Sequence, residues 1–246
     1  MIKFIVYLTK TIVALITVLL FSSCQYSIDF SDAVKGSGIV KSVNRPVAGE
    51  FSSIQVSNGI DVEVTQNDSK SIEVKADDNI IDLITTDIID GTLKIALEKS
   101  VKNTKFKTVY VSLPIIESLR TSSGASIKSK NILVVSLLET KASSGSEVKL
   151  SVEAENLTCD SNSGSEIKIN GKALQFNATA SSGSDITADQ LLTNDVIAKS
   201  SSGSSIKVHP ILSLEAKASS GGDIKYYNTP KKMSKVNSSG GSIRAN

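Results

Sequence analysis

Aromatic side chains are scarce in this chain of 246 residues: Phe and Tyr together make up 4%, Trp is absent, and there is one histidine. That scarcity argues against a stacking platform for nucleic acid or sugars. One imidazole cannot supply a metal site or catalytic relay that needs two. Charge of one sign is missing as well, with 27 basic against 25 acidic side chains. Lys3 and Lys10 both fall in the first 23 residues, which carry no acid. The remainder is balanced and has no global pull toward nucleic acid or acidic lipid. What is plentiful is ordinary folding material, 40% hydrophobic and 21% charged residues, outside the range of disordered chains.

Residues 1–23 read as an export signal. Two lysines are followed by the apolar run from Thr11 to Phe21, about half of the ~20 residues that span a bilayer, which fits a secretory segment. The run closes in Leu20-Phe21-Ser22-Ser23-Cys24, and small residues directly before a single cysteine resemble the lipobox of bacterial lipoproteins. Phe21 departs from the small or branched aliphatic residue usual at its place. The resemblance implies cleavage before Cys24 and its lipidation, and Gln25 in place of an acid implies sorting to the outer membrane. Several acyl chains hold a protein stably on a membrane, at about 0.8 kcal/mol per buried CH₂. Residues 24–37 read as a tether. With Cys24 acylated, Cys159 has no disulfide partner, and in Asn156-Leu-Thr-Cys-Asp160 it reads as a small buried apolar residue.

From residue 121 the chain repeats itself. Gly124, Gly145, Gly164, Gly183, Gly203, Gly221 and Gly240 are spaced 21, 19, 19, 20, 18 and 19 residues apart. Serine always precedes the glycine, and a small residue follows it. The third residue after it is Ile or Val (Ile127, Val148, Ile167, Ile186, Ile206, Ile224, Ile243) and the second is polar. The fourth is basic in six copies, Lys128, Lys149, Lys168, Lys207, Lys225 and Arg244, and Thr187 in the other. This period of two is that of a strand with one buried face. No unit of this length buries its apolar face alone, but stacked copies do, which suits one coil of a parallel β-helix with two or three short strands joined by tight corners. The isoleucines then form one internal row. The in-register serines form a second that hydrogen-bonds within the corner, and the glycine supplies the left-handed backbone there.

The N-terminal half, residues 38–118, alternates less regularly and reads as irregular coils of one domain over 38–246, the repeats filling 119–246; a separate small β domain at about 38–115 is the alternative. Asp90-Gly91 is a turn signal. The stretch Asn79–Asp90 has the length of a short helix, but its β-branched content argues for strand.

Three segments together resemble the bacterial family called putative auto-transporter adhesin, head GIN domain. They are Phe51-Ser-Ser-Ile-Gln-Val-Ser-Asn-Gly-Ile-Asp-Val-Glu-Val-Thr-Gln66, Tyr110-Val-Ser-Leu-Pro114, and the run of Ser-Gly-Ser/Ala-x-Ile repeats. The resemblance spans roughly residues 40–244. It implies a right-handed parallel β-helix on a secreted or lipid-anchored protein, and it offers no catalytic residues.

No cofactor, metal or nucleic-acid partner is expected. Gly221-Gly222-Asp223 echoes a calcium β-roll at the wrong period, and His209 reads as a lone corner residue. The acids Glu147, Glu166, Asp185 and Asp223 alternate with the bases as a charge ladder. The six bases form a stripe, with Arg120, Lys141, Lys199 and Lys217 expected beside it across the corner. The stripe suits an anionic glycan or an envelope protein; the alternative is that it only keeps the exposed sheet soluble and blocks edge pairing. The reading is thus a lipid-anchored, non-enzymatic surface module; a polysaccharide-degrading enzyme and a structural spacer are the other readings. Strand edges at the C-terminal end imply self-association or a short protective tail. Replacing Cys24 with Ala should abolish incorporation of labelled palmitate and move the chain out of the membrane fraction; a native chain that takes up no label would sink the lipoprotein assignment.

Overall fold

Peptide groups stacked one coil above the next organise the repeat region. The structure, a computed structural model, describes residues 33–246 and, ahead of them, Phe4, Tyr7, Lys10, Thr11, Ile12, Ala14 and Ile16, which are helical. Cys24 lies outside the described residues. Among the described residues no helix is long and apolar enough to cross a membrane. Residues Val34–Asn246 form one unit.

Strands Ser126–Ala142, Glu147–Ser161, Glu166–Ala180, Asp185–Ser200 and Ser205–Ala218 each pair in parallel with the next. Asp223–Tyr226 and Lys232–Asn237 pair with the two ends of Ser205–Ala218, and Ser242–Ala245 pairs with Asp223–Tyr226. The fold is therefore the expected parallel β-helix. One expectation needs correction: five of the coils are not two or three short strands but single strands of 14–17 residues, broken only at the serine-glycine corner. Their other bends are taken inside the strand, with register shifts in three of the four ladders, so each strand stays continuous.

Stacking in register builds internal columns. Ile127, Val148, Ile167, Ile186, Ile206 and Ile224 are at most 1% exposed, and only Ile243 in the last strand is half-covered. A second column runs Leu138, Leu157, Phe176, Val196 and Leu214, with Phe176 the largest fully buried side chain. A third alternates small residues, Thr140, Cys159, Ala178, Ala198 and Ala216. Cys159 is buried there as expected, and burial pushes its thiol pKa well up, with Asp160 adding to the shift.

The corner differs from the expected one in two respects. Glycine is not alone in the left-handed region: the serine before it also has positive φ, from 48° at Ser239 to 55° at Ser182, giving the φ signs of a type I′ turn. An amide-to-carbonyl bond closes the turn, for example Ala125 N to Ser122 O at 3.2 Å. The conformation costs serine roughly 1–2 kcal/mol. It lets the corner join the ladder, because Gly124 N donates to Ser144 O and Gly145 N to Ser163 O, both at 3.1 Å, and so on to Ser239. The internal hydroxyl row, second, is not made by these serines, which are exposed. It is made by the residue after the glycine, Ser146, Ser165, Ser184 and Ser204, each at most 2% exposed. Ser165 Oγ donates to Ala142 O at 2.8 Å and bridges Ser161 Oγ at 2.9 Å; Ser204 repeats this with Ala180 O and Ser200 Oγ, both at 2.8 Å. These buried hydroxyls are satisfied, as they must be.

At the other end the order along the stack departs from chain order. The coil of Ser53–Val56 and Asp61–Gln66 lies between strands Thr92–Leu97 and Lys107–Leu113 on one side and the first repeat strands on the other. The chain therefore passes over that coil between Leu113 and Ser118. Gln66 clamps the crossing: its amide accepts from Val134 N at 2.7 Å and donates to Pro114 O at 3.0 Å, while its backbone exchanges bonds with Asn131. Antiparallel strands Val40–Arg45, Ser71–Asp77 and Ile84–Ile89 finish this end. Asp90-Gly91 is the expected hairpin turn, and Asn79–Asp90 holds a single 3-10 turn, Ile81–Leu83, before strand Ile84–Ile89.

Val34–Lys35, inside the segment read as tether, already pairs with Val101–Lys102 in the unit Val34–Asn246. Beside it the fully buried Asp77 carboxylate accepts from Gly38 N at 3.0 Å, Lys105 N at 3.1 Å and Phe106 N at 3.0 Å. Burial alone would raise its pKa, but the three amides and the Lys105 charge outweigh burial and hold it below the usual range. Such a group stabilises the fold above the unfolded pKa, about 3.9, and that contribution is lost as pH falls through the lower folded value. Acid unfolding followed by circular dichroism should show a pH dependence that Asp77→Asn flattens; equal slopes would refute the role. Ile167→Ala should cost about 2–5 kcal/mol in denaturant melts.

Candidate functional site: a lysine-lined groove

Alternation along each strand sends the isoleucine inward and the next residue outward. Lys128, Lys149, Lys168, Thr187, Lys207, Lys225 and Arg244 are thereby register partners on successive coils, about 4.8 Å apart. Thr187 divides the row in two. Every departure from the common period falls beyond this row: the register shifts lie between Lys128 and Ile132, Lys168 and Asn170, Ala188 and Leu192, and Thr193 and Asp195. Extra and missing residues are thus absorbed at the bends beyond the row, most of them at the first. Gly171 permits that bend in its coil, with φ at 118° and room for no Cβ, which would stand 2.0 Å from Val152 O.

At the bend lies a groove of about 460 Å³, lined by Lys128, Lys149, Lys168 and Thr187 along one side and Ser129, Ser151, Asn170, Asp189 and Gln190 along the other. Three lysines from successive coils therefore share a groove with hydroxyl- and amide-bearing residues. The acids two after each glycine do not line it. They neutralise the lysines from the side: Lys149 pairs with Glu147 at 2.6 Å and Lys168 with Glu166 at 2.8 Å. Glu166 raises the pKa of Lys168 through that bond, against a smaller opposing effect of burial, with Glu147 and Asp185 helping. An ammonium has three donors, so one carboxylate leaves two for a ligand. Lys207 and Lys225 continue the row beyond Thr187 without lining the groove. Arg244 is occupied by a two-pronged pair with Asp223, at 2.5 and 2.9 Å.

Arg120, Lys141, Lys199 and Lys217 form their own row, with Asp160 and Thr179 between. Their acids are different ones. Lys141 and Arg120 bond Glu139 at 2.8 and 2.9 Å, and Lys217 bonds Glu215 at 2.9 Å. The Lys141 bond first, against opposing burial, and then the Arg120 bond hold the Glu139 pKa low. Among the described residues no ion pair joins the two rows. His209 bonds the Asp189 carbonyl through Nδ1 at 3.1 Å. The seven repeat glycines sit at the corner, away from this groove.

The sequence reading missed an apolar strip farther along each coil, where Val134, Leu174, Leu192 and Ile211 are exposed. Its signal was present in Val134-Val135, Leu191-Leu192 and Ile211-Leu212, where two apolar residues in succession break the alternation.

The family described as putative auto-transporter adhesin, head GIN domain, matches residues 50–230. No curated protein matches the chain. Among solved structures, a putative adhesin from Bacteroides fragilis is similar at TM-score 0.80 and 21% identity, covering 87% of this chain and 100% of that one. A putative lipid binding protein from Parabacteroides distasonis is similar at TM-score 0.71 and 18% identity, covering 87% and 99%. A putative adhesin from Parabacteroides merdae follows at 0.68 and 20%, covering 87% and 99%. At these identities the likeness is one of fold. Because exposed ion pairs contribute only about 0–1 kcal/mol each, replacing Lys128, Lys149 and Lys168 together with Gln should lower stability by no more than about 2 kcal/mol in urea melts; a larger loss would make the row a structural element.

Proposed function

The chain belongs to the putative auto-transporter adhesin, head GIN domain family, and from that premise we propose that it is a lipid-anchored, adhesin-like module of the cell envelope that holds an anionic glycan in the lysine-lined groove. The observation that carries the reading is the placement of Lys128, Lys149 and Lys168 along one side of a single groove on three successive coils. A linear polyanion laid along the coil axis meets one ammonium every ~4.8 Å, and Ser129, Ser151, Asn170 and Gln190 supply hydroxyl and amide partners for sugar hydroxyls. The groove has no aromatic wall, so recognition rests on charge and hydrogen bonds. The anchor expected at Cys24 sets such a module on a membrane surface, where glycan ligands are met.

Support for a non-catalytic role comes from the acids. Glu147 and Glu166 are tied to lysines at 2.6 and 2.8 Å and stand outside the groove. Asp189 is the single acid among the lining residues, whereas a glycosidase needs a facing pair. On an array of uronate and sulfated polysaccharides, the full chain should bind acidic glycans with a strong decrease in salt. The Lys128→Gln/Lys149→Gln/Lys168→Gln variant should bind about tenfold or more weakly, as charge-assisted hydrogen bonds are lost. Unchanged binding by this variant, or cleavage of the glycan by the native chain, would overturn the reading.

A further inference from the structure

Beyond the lysine groove each coil turns again, and the outward positions there form a pattern along the coil axis. Val134, Glu153, Lys172 and Leu192 are register partners on four successive coils. All four are exposed, Val134 by 63% and Leu192 by 42%. They line a groove of about 500 Å³ together with Glu155, Leu174 and Ile211, and Val134 shares an adjoining hollow with Ile115, which is 62% exposed. Exposed aliphatics gathered in one strip on a soluble surface mark an interaction site. Among the described residues Glu153, Glu155 and Lys172 make no ion pair within the chain, although Glu153 and Lys172 sit on neighbouring coils. Charges left free in the middle of an apolar strip are available to a partner.

Read along the axis, the strip runs apolar, acidic, basic, apolar. That order is complementary to its own reverse. We propose that this strip is the interface of an antiparallel homodimer, with a two-fold axis crossing the strip between the Glu153 and Lys172 coils. Such an axis sets Glu153 against the partner's Lys172, Val134 against the partner's Leu192, and Ile115 against the partner's Ile211. The contact is isologous and closed, so it stops at two copies. A parallel dimer would instead set Glu153 on the partner's Glu153 and Lys172 on the partner's Lys172, placing like charges together. The lysine-lined groove shares no residue with the strip, so this inference stands apart from the glycan reading.

Disulfide trapping on the full chain tests it. The double variant Val134→Cys/Leu192→Cys should give an oxidised dimer on non-reducing gels, while each single variant should cross-link no more than the native chain. Cys159 is buried and Cys24 is common to all four proteins, so both serve as background. Lys172→Glu should raise the dimer dissociation constant about tenfold or more, and adding Glu153→Lys to it should restore association, because the exchanged charges again face opposites. A chain that sediments as a monomer throughout, one whose strip takes up a fatty-acyl probe instead of a second copy, or Val134→Cys alone cross-linking as well as the pair would each overturn the antiparallel dimer. So would a charge exchange that fails to restore association.

Discussion

Parallel pairing at constant register is the constraint on which the rest depends. Backbone amides bond to carbonyls of the neighbouring coils, corner included, so in the paired stretches each side chain meets its own counterpart about 4.8 Å away. Only residues that tolerate their own kind can occupy such columns. Ile127, Val148 and Ile167 pack on one another without penalty. Serine can stack inside because a hydroxyl both donates and accepts, and Ser165 does both with Ser161 and Ala142. Stacked lysines repel one another, and Glu147 and Glu166 relieve that repulsion at Lys149 and Lys168.

The serine-glycine corner follows from the same constraint. A tight reversal of the side chains' direction could be built in several ways, but few leave the corner carbonyl pointing along the stack. Two consecutive left-handed residues do so, and they turn the serine carbonyl toward the glycine amide of the preceding coil. Glycine adopts this conformation freely. Serine does so at a cost that is offset by one backbone bond per coil. Asn58-Gly59 makes the same turn in the coil that precedes the repeats, which shows the irregular half to be built on the same corner with a different polar residue.

How much of this was legible follows from what each position touches. Columns read directly from the spacing of Ile127, Val148 and Ile167, because a buried position tolerates few residue types. The identity of the buried hydroxyl was not legible. Ser144 and Ser146 are the same residue on either side of Gly145, and alternation of burial alone does not reveal that the first is exposed in a left-handed conformation. The crossing of the chain over the Ser53–Gln66 coil was also hidden, since nothing local in Leu113–Ser118 states which coil lies beneath. For the groove a clue was present. The uneven spacings of 21, 20 and 18 residues mark coils of unequal length; in three dimensions the shifts after Lys128, Lys168 and Ala188 fall at the groove lined by Lys128, Lys149 and Lys168, and the one after Thr193 falls at the apolar strip.

The placement of these shifts at the bends bears on how such a protein changes over evolutionary time. An inserted or deleted residue anywhere in the ladder would flip every side chain beyond it to the wrong face. At the bend the same change is silent for the scaffold, because pairing resumes one residue later. Lineages can therefore reshape the grooved flank of the coils freely while the dry interior is inherited intact, and differences in coil length between members should be concentrated on that flank.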